Sequence, residues 1–348
     1  MSPRIIGAAA CAAAQATPVA PAPHPAGAAR AASVTPAAAR RLQVDEHGAG
    51  QRLDNYLLRA LKGVPKSHVY RVIRSGEVRV NRGRAGAELR LAAGDEVRVP
   101  PLRLPERAAA PPVPAREFPV LYEDDALLAV DKPAGVAAHG GSGVAFGVIE
   151  QLRRARPQAR FLELVHRLDK DTSGVLLLAK KRSALTALQQ RLRERGVDKR
   201  YLALVTGAWP ARLKVIDQPL HKTHDAAGAR QVRVVAPGHA QARRAITLVR
   251  RIEPRGGFTL LELVLQTGRT HQLRVHLAHC GHPIAGDPKY GDFALNRALV
   301  RGDAVPGQRF ERMFLHAWQL AFAHPASGEP VLLQAPLPAA CAALLQAL

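Results

Sequence analysis

An α+β fold is predicted, with a small N-terminal unit of two short helices and short strands followed by a larger domain built on a large, mostly antiparallel sheet. Three observations predict it. Residues 42–100 place apolar side chains at helical spacing twice and then switch to alternation. A proline-rich stretch interrupts the chain at about residues 101–117. Residues 118–348 then hold many short Val- and Leu-rich runs with two helical segments. A chain of 348 residues has room for two domains and a tail.

The first 40 residues contain 17 Ala and 6 Pro, no acidic residue, and only Arg4, Arg30 and Arg40 as cations. Pro18, Pro21, Pro23 and Pro25 interrupt any secretory hydrophobic core, so residues 1–41 read as a disordered leader. Residues 1–40 carry +3 of the formal net charge of +22, leaving +19 for residues 41–348. Such a surplus calls for a polyanionic partner. The longest apolar run, Val175 to Ala179, is strand-sized, which argues against a membrane span. Cys11, Cys280 and Cys341 are odd in number and scattered, as expected in a reducing cytosol with neither disulfide framework nor zinc site.

In the first unit, Leu53, Leu57, Leu58 and Leu61 lie at helical spacing, and Pro65-Lys-Ser67 opens a second helix with Val69, Val72 and Ile73 inward. Gly76 stops that helix. Val78 and Val80 alternate as a strand, Asn81-Arg-Gly83 turns, and Gly94-Asp95 introduces a strand at Val97–Val99. Between Lys66 and Arg84 stand six basic residues against one acid, Glu77. Lys66, Arg71 and Arg74 can follow a phosphate backbone from the outer helix face, or simply form a solvated face.

Pro100-Pro101 and the prolines at 111, 112, 114 and 119 mark a semi-rigid linker over 101–117. In the second unit, Leu127–Val130 reads as a strand entering the turn Asp131-Lys-Pro-Ala-Gly135. Further strand candidates are Tyr201–Val205, Gln231–Val235, Ala245–Val249 and Thr259–Leu265. Helices are expected over Ala184–Arg195 and His271–Cys280.

Chemistry is expected at His166-Arg-Leu-Asp-Lys-Asp-Thr-Ser-Gly174, where a carboxylate and an arginine precede the apolar run from Val175 to Ala179. On spacing alone, this is equally an acidic turn capping a strand with Arg167 solvated. His271, His276, His279 and His282 lack a Cys-x-x-Cys pair or a carboxylate-centred partner, so structural or polyanion-contacting roles are favoured over metal ligation. Gly140–Gly143 lacks the pattern of a phosphate loop and reads as a flexible loop beside the site.

The block at 166–174 resembles the signature of the pseudouridine synthases that modify large-subunit ribosomal RNA and some transfer RNA. Three further blocks follow in family order: Asp131-Lys-Pro-Ala-Gly135, Lys199-Arg-Tyr-Leu-Ala-Leu-Val-Thr-Gly207, and Thr267-Gly-Arg-Thr-His-Gln-Leu-Arg-Val-His276 leading into Gly281–Asp287. The first unit resembles the S4-like RNA-binding domain, named after a ribosomal protein of the small subunit. The resemblance spans residues 42–340 and implies a pseudouridine synthase catalytic domain over 118–348.

By that resemblance Asp169 is the catalytic carboxylate, Arg274 its charge-assisted partner, Tyr201 the ring that contacts the target base, Leu273 an apolar neighbour of the base, and Arg167 the residue that fills the vacancy of the flipped nucleotide. The Asp131–Gly135 bend is expected to support the site. Blocks such as Lys62–Ser67, Gly76–Asn81 and Arg160–Val165 resemble members that modify three separated uridines of 23S ribosomal RNA. The implied partner is therefore 23S ribosomal RNA, free or partly assembled, with an isomerase acting as a cytoplasmic monomer without cofactor or metal. A synthase for other ribosomal or transfer RNA uridines, or a silent RNA-binding assembly factor, is the alternative. The variation at Gly286-Asp-Pro288 is expected not to touch Asp169.

Overall fold

The computed structural model describes residues 39–46, 48–61, 64–102, 113–141, 144–224 and 230–348. The leader up to residue 38, the middle of the linker and Ser142-Gly143 lie outside them.

The N-terminal unit orders β1 (Arg40–Gln43), α1 (Leu53–Ala60), α2 (Lys66–Arg74), β2 (Arg79–Val80), β3 (Gly83–Arg84) and β4 (Glu96–Val99), with its strands in the sequence β1-β4-β2-β3. Both helices form where the apolar spacing places them: Leu53, Leu57, Val69, Val72 and Ile73 are buried in one cluster with Val78, Val80, Val97 and Val99. Asn81 and Arg82 both take positive φ, which lets a two-residue turn match the twist of its flanking strands. The charged strand β1 carries too weak a pattern to be read alone. Pairing with β4, Leu42 opposite Val97, decides its state.

The larger unit orders β5 (Val120–Glu123), β6 (Leu127–Lys132), α3 (Val148–Ala155), β7 (Glu163–Leu164), β8 (Ser173–Ala179), α4 (Arg182–Arg193), β9 (Asp198–Thr206), β10 (Val215–Asp217), β11 (Leu220–His224) and β12 (Arg230–Val234). Then come β13 (Ile246–Arg255), β14 (Phe258–Leu265), α5 (Gln272–His279), α6 (Phe293–Arg301), β15 (Leu315–Ala323), β16 (Pro330–Gln334) and α7 (Ala339–Ala347). The main sheet runs β10-β13-β14-β9-β15-β8-β6-β5, with β16 on β15 and β7 on β8. Among the described residues only β15 and β8 pair in parallel, so the expected α+β class with a mostly antiparallel sheet holds.

Every residue of β8 is buried because both faces of the strand are covered. Leu176 and Leu178 enter one core with Tyr201, Leu204, Leu273 and Phe314, while Val175, Leu177 and Ala179 enter a second under α4 with Leu185 and Leu188. Gly174 has φ +110°, and a Cβ there would collide with the Ala317 carbonyl, so the parallel contact between β8 and β15 requires glycine.

The helix expected at Ala184–Arg195 lies two residues earlier. It ends at Arg193, two residues before Arg195 takes φ 62°, and β9 begins at Asp198. Strands β15 and β16 and helices α3, α6 and α7 complete the domain beyond the segments singled out from sequence.

His316, fully buried on β15, joins two parts of the site scaffold. Its Nδ1 lies 2.9 Å from Ser173 Oγ and its Nε2 3.3 Å from the Ala335 carbonyl, while Arg312 donates to the same Ser173 oxygen at 2.6 Å. A neutral ring donating from Nε2 and accepting at Nδ1 satisfies every partner. Burial, with Arg312 nearby, pushes its pKa down to about 4. The unfolded chain binds this proton near pH 6.5 and the folded one only near 4, so stability from this group is full above pH 6.5 and is lost as pH falls to 4. The expected slope is at most about 1.4 kcal/mol per pH unit. Denaturant titrations of the parent and of H316Q between pH 7 and 4 check it: the variant should lack this component.

Candidate active site

The turn from Arg167 to Thr172 delivers Asp169 to the mouth of β8, held by a bond from the Thr172 amide to the Asp169 carbonyl. Behind it, β6 ends in Lys132, whose side chain is fully buried. Its Nζ donates to the carbonyls of Pro133, Val136 and Lys170 at 2.8, 2.7 and 3.0 Å. Burial presses its pKa to about 7, with Asp171 and Asp169 opposing that shift. Three acceptors match the three protons of an ammonium, so the geometry favours the charged form. Lys132 thereby ties the Asp131–Gly135 bend to the residue following Asp169, which is how that bend supports the site.

Helix α5 presents the facing wall. Arg274 Nη1 lies 3.5 Å from Asp169 Oδ2. The rest of the guanidinium fork belongs to another carboxylate: Nε and Nη2 donate to Asp287 Oδ2 and Oδ1 at 2.7 and 2.8 Å. The charge-assisted bidentate pair is therefore made with Asp287, and Asp169 receives the remaining nitrogen. Asp287 is fully buried; burial acts to raise its pKa, but Arg274 and the amides of Tyr290 and Lys289 outweigh that and hold it below the usual carboxylate range. Asp287 bears on Asp169 only through Arg274, the partner that the two carboxylates share.

His271 takes φ 53° and ψ 21° immediately before α5. Its Nε2 is 3.9 Å from Asp169 Oδ2 and its Nδ1 2.9 Å from the Tyr290 hydroxyl. The Val232 amide donates to that hydroxyl at 3.2 Å, so the phenol proton is directed to Nδ1 and the ring proton to Nε2, facing Asp169. Burial lowers the His271 pKa and favours this neutral ring, although the Asp169 charge opposes the shift. Gln272 binds Thr267 and the Arg269 amide through its oxygen and Ile246 and Thr247 through its nitrogen, pinning the loop before α5 to β13.

On β9, Tyr201 is buried and lines the same cleft, of about 940 Å³, as Asp169, Arg167, His271, Leu273 and Arg274. Burial and the Asp169 charge raise its phenol pKa above the ordinary value. Leu273 is buried beside Arg274, and Arg167 stands exposed at the rim. Lys66, Arg71 and Arg74 are exposed on α2 of the N-terminal unit, away from this cleft. There Arg71 contacts His68 at 2.8 Å and Glu77 at 3.8 Å, and Arg74 reaches the Tyr70 carbonyl. Tyr70 itself donates to the buried Asp54 at 2.7 Å.

Of the histidines weighed against metal, His276 bonds to Thr247 and the Gln218 carbonyl, and His282 to the Thr206 carbonyl. Among the described residues, no group of three His, Cys, Asp or Glu side chains comes together to hold a metal. No described helix is long and apolar enough to cross a membrane.

The model of the family described as RNA pseudouridylate synthase matches residues 126–279, and that of the S4 domain matches residues 51–97. Ribosomal large subunit pseudouridine synthase C of Salmonella typhimurium is 51% identical over 307 residues, covering 86% of this chain and 93% of that protein. The chain belongs to the RNA pseudouridylate synthase family. The protein of the same name from Escherichia coli K12 is 52% identical over 296 residues, covering 83% and 90% of the two chains. Human RNA Pseudouridylate Synthase Domain Containing 4 superposes with a TM-score of 0.53 at 28% identity, covering 66% of this chain and 92% of that one. This pseudouridylate synthase is thus an RNA-modifying isomerase carrying an S4 domain.

Lys132, His271, Asp287 and Tyr290 were not assigned from sequence as parts of the site. A lysine closing an apolar strand was the one legible signal, at Lys132. His271 and Asp287 lie in blocks whose letters are visible and Tyr290 stands three residues beyond the last of them, but their contacts depend on how α5 meets the loop that follows it.

Proposed function

We propose that this synthase converts specific uridines of 23S ribosomal RNA to pseudouridine in the cytoplasm, on free or partly assembled large-subunit RNA. The observation that carries the reading is the Asp169 carboxylate, 3.5 Å from Arg274 in a cleft that also holds Tyr201. The names of the curated relatives support the choice of RNA. Residues 42–100 serve as the RNA-binding unit, 101–117 as a linker and 118–348 as the catalytic domain.

The reaction breaks the bond from ribose C1′ to N1, turns the uracil, forms the bond from C1′ to C5 and transfers the C5 proton away while N1 gains one. No electrons are exchanged with an external partner, so the chemistry requires no redox cofactor. Asp169 serves either as nucleophile or as the base that removes the C2′ proton. Arg274 and the His271 N–H orient it. Tyr201 stacks against the uracil. Its raised pKa keeps the phenol protonated before reaction, so accepting the C5 proton requires passing on its own. Leu273 packs beside the base, and Arg167 enters the stack left by the flipped nucleotide.

Pseudouridine mapping in ribosomal RNA from a strain lacking the protein tests the reading. Loss of specific 23S pseudouridines supports it; an unchanged 23S map with missing transfer RNA pseudouridines would redirect it.

Lys66, Arg71 and Arg74 supply affinity rather than chemistry. Converting Arg71 and Arg74 together to Ala should weaken ribosomal RNA binding and flatten its log–log salt dependence by about one unit per lost phosphate contact. The rate at saturating RNA should stay near that of the parent. Titrations at several salt concentrations check this, and an unchanged slope would leave these arginines a solvated helix face.

A further inference from the structure

Lys199 stands two residues before Tyr201 on β9, so both side chains project from the same face of the strand into the cleft. Its surroundings are unusual for a lysine. Burial lowers its pKa and no acidic residue offsets the effect. Its positive charge instead bears on His166, at the start of the Asp169 turn, whose pKa burial already lowers and which Lys199 lowers further. On the other side, its Nζ approaches Gly268, next to Arg269 in the loop before α5.

The acids that line the cleft and its continuation, together with Glu262, have cationic or amide partners, Asp169 among them with Arg274 Nη1 at 3.5 Å, although Asp198 keeps one buried oxygen without a partner. Asp198 is bound to Arg200 at 2.9 Å, Glu262 to Arg200 at 3.0 Å, Glu163 to Arg153 at 2.8 Å, and Glu150 to the Gly140 and Gly147 amides at 3.0 and 2.8 Å. A second cavity of about 240 Å³ continues the cleft, sharing Leu192, Arg195, Lys199, Leu265 and Gln266 with it and extending to Arg200 and Arg250. Lys199 therefore marks the boundary between the chamber of Asp169 and a groove that carries Arg195 and Arg250 alongside the Asp198–Arg200 pair. A partly desolvated ammonium without a counter-ion gains most from an anion that enters with the substrate.

We propose that Lys199 is the seat of an RNA phosphate subsite, binding a phosphodiester next to the flipped nucleotide and directing the strand into the groove lined by Arg195 and Arg250. The inference rests on the reading above that RNA is the substrate. One strand, β9, then carries both the ring that meets the base and the cation that meets its backbone, so the phosphate contact adds affinity beside the ring without reaching the reacting atoms.

The test titrates a 23S ribosomal RNA transcript with the parent, K199M and K199R at several salt concentrations, alongside single-turnover rates at saturating RNA. K199M should bind roughly five- to tenfold more weakly, with a log–log salt slope smaller by about 0.7 to 0.9, the value of one phosphate contact. K199R should restore the slope, and the K199M saturating rate should stay within about threefold of the parent. An unchanged affinity and slope overturn the proposal. So does a collapsed saturating rate at unchanged affinity, which would assign Lys199 to chemistry.

A measurement on the unaltered protein covers the case of a misfolded variant: acylation of Lys199 by a water-soluble reagent should be suppressed by the transcript, and undiminished labelling counts against the subsite. Neutral methylphosphonate linkages on either side of the modified uridine then distinguish the two neighbouring phosphates, because only the contacted one should lose its effect in K199M. Absence of pseudouridine from the parent reaction would sink the choice of substrate, whereas slope and labelling decide Lys199 separately.

Discussion

Replacing Asp169 with Asn is expected to abolish pseudouridine formation, by at least about 10⁴-fold, while RNA affinity and thermal stability change little. The magnitude follows from removing the group that either attacks or abstracts a proton; a carboxamide offers neither basicity nor charge at nearly the same volume. Affinity should survive because the basic residues of α2 and of the cleft rim are untouched. Stability should survive because Asp169 is partly exposed and Arg274 keeps its two bonds to Asp287. Single-turnover assays with the same RNA check the rate, and a D169N protein that turned over at the parent rate would remove Asp169 from the mechanism.

Replacing Arg274 is expected to cost both activity and folding. In R274M the Asp287 carboxylate, fully buried and held by the Arg274 fork, is left as an uncompensated charge, a change that typically costs about 3–5 kcal/mol. The same change takes the cation from Asp169. The two consequences separate in a double variant. R274M/D287L replaces a buried ion pair by apolar side chains, which should recover most of the lost stability. Turnover should not return, since Asp169 still lacks its partner. Equilibrium unfolding of parent, R274M and the double variant, with single-turnover rates on each, tests the division. Recovery of activity in the double variant would mean that Arg274 acts on Asp287 alone.

Much of this arrangement was legible in the amino-acid order. The spacing of Leu53, Leu57, Val69, Val72 and Ile73 announces two helices with one shared core, and that core forms. The unbroken run Val175–Ala179 announces a strand covered on both faces, and its alternate residues do enter two different cores. Asp169, Tyr201, Leu273, Arg274 and Arg167 were expected at one site, and they line one cleft. What local pattern misjudged were ends and edges. Helix α4 starts at Arg182 rather than Ala184, and β1 is a strand chiefly because β4 offers it a partner.

The sequence by itself determined the two-unit organisation, the apolar faces of the elements and the chemical types present at the site, because these depend on periodicity over a few neighbouring residues. Only the tertiary structure decided how those types are wired. Strand β15, more than 100 residues beyond β9, inserts between β9 and β8 and so sets the distance between Tyr201 and the Asp169 turn. The loop after α5 brings Asp287 to the Arg274 fork, Lys132 reaches across to the Lys170 carbonyl, and Lys199 ends in the cleft with no acid among the described residues offsetting its burial. Each of these depends on contacts between residues distant in the chain. Their geometry is set by packing two faces of one sheet, and no local spacing encodes it.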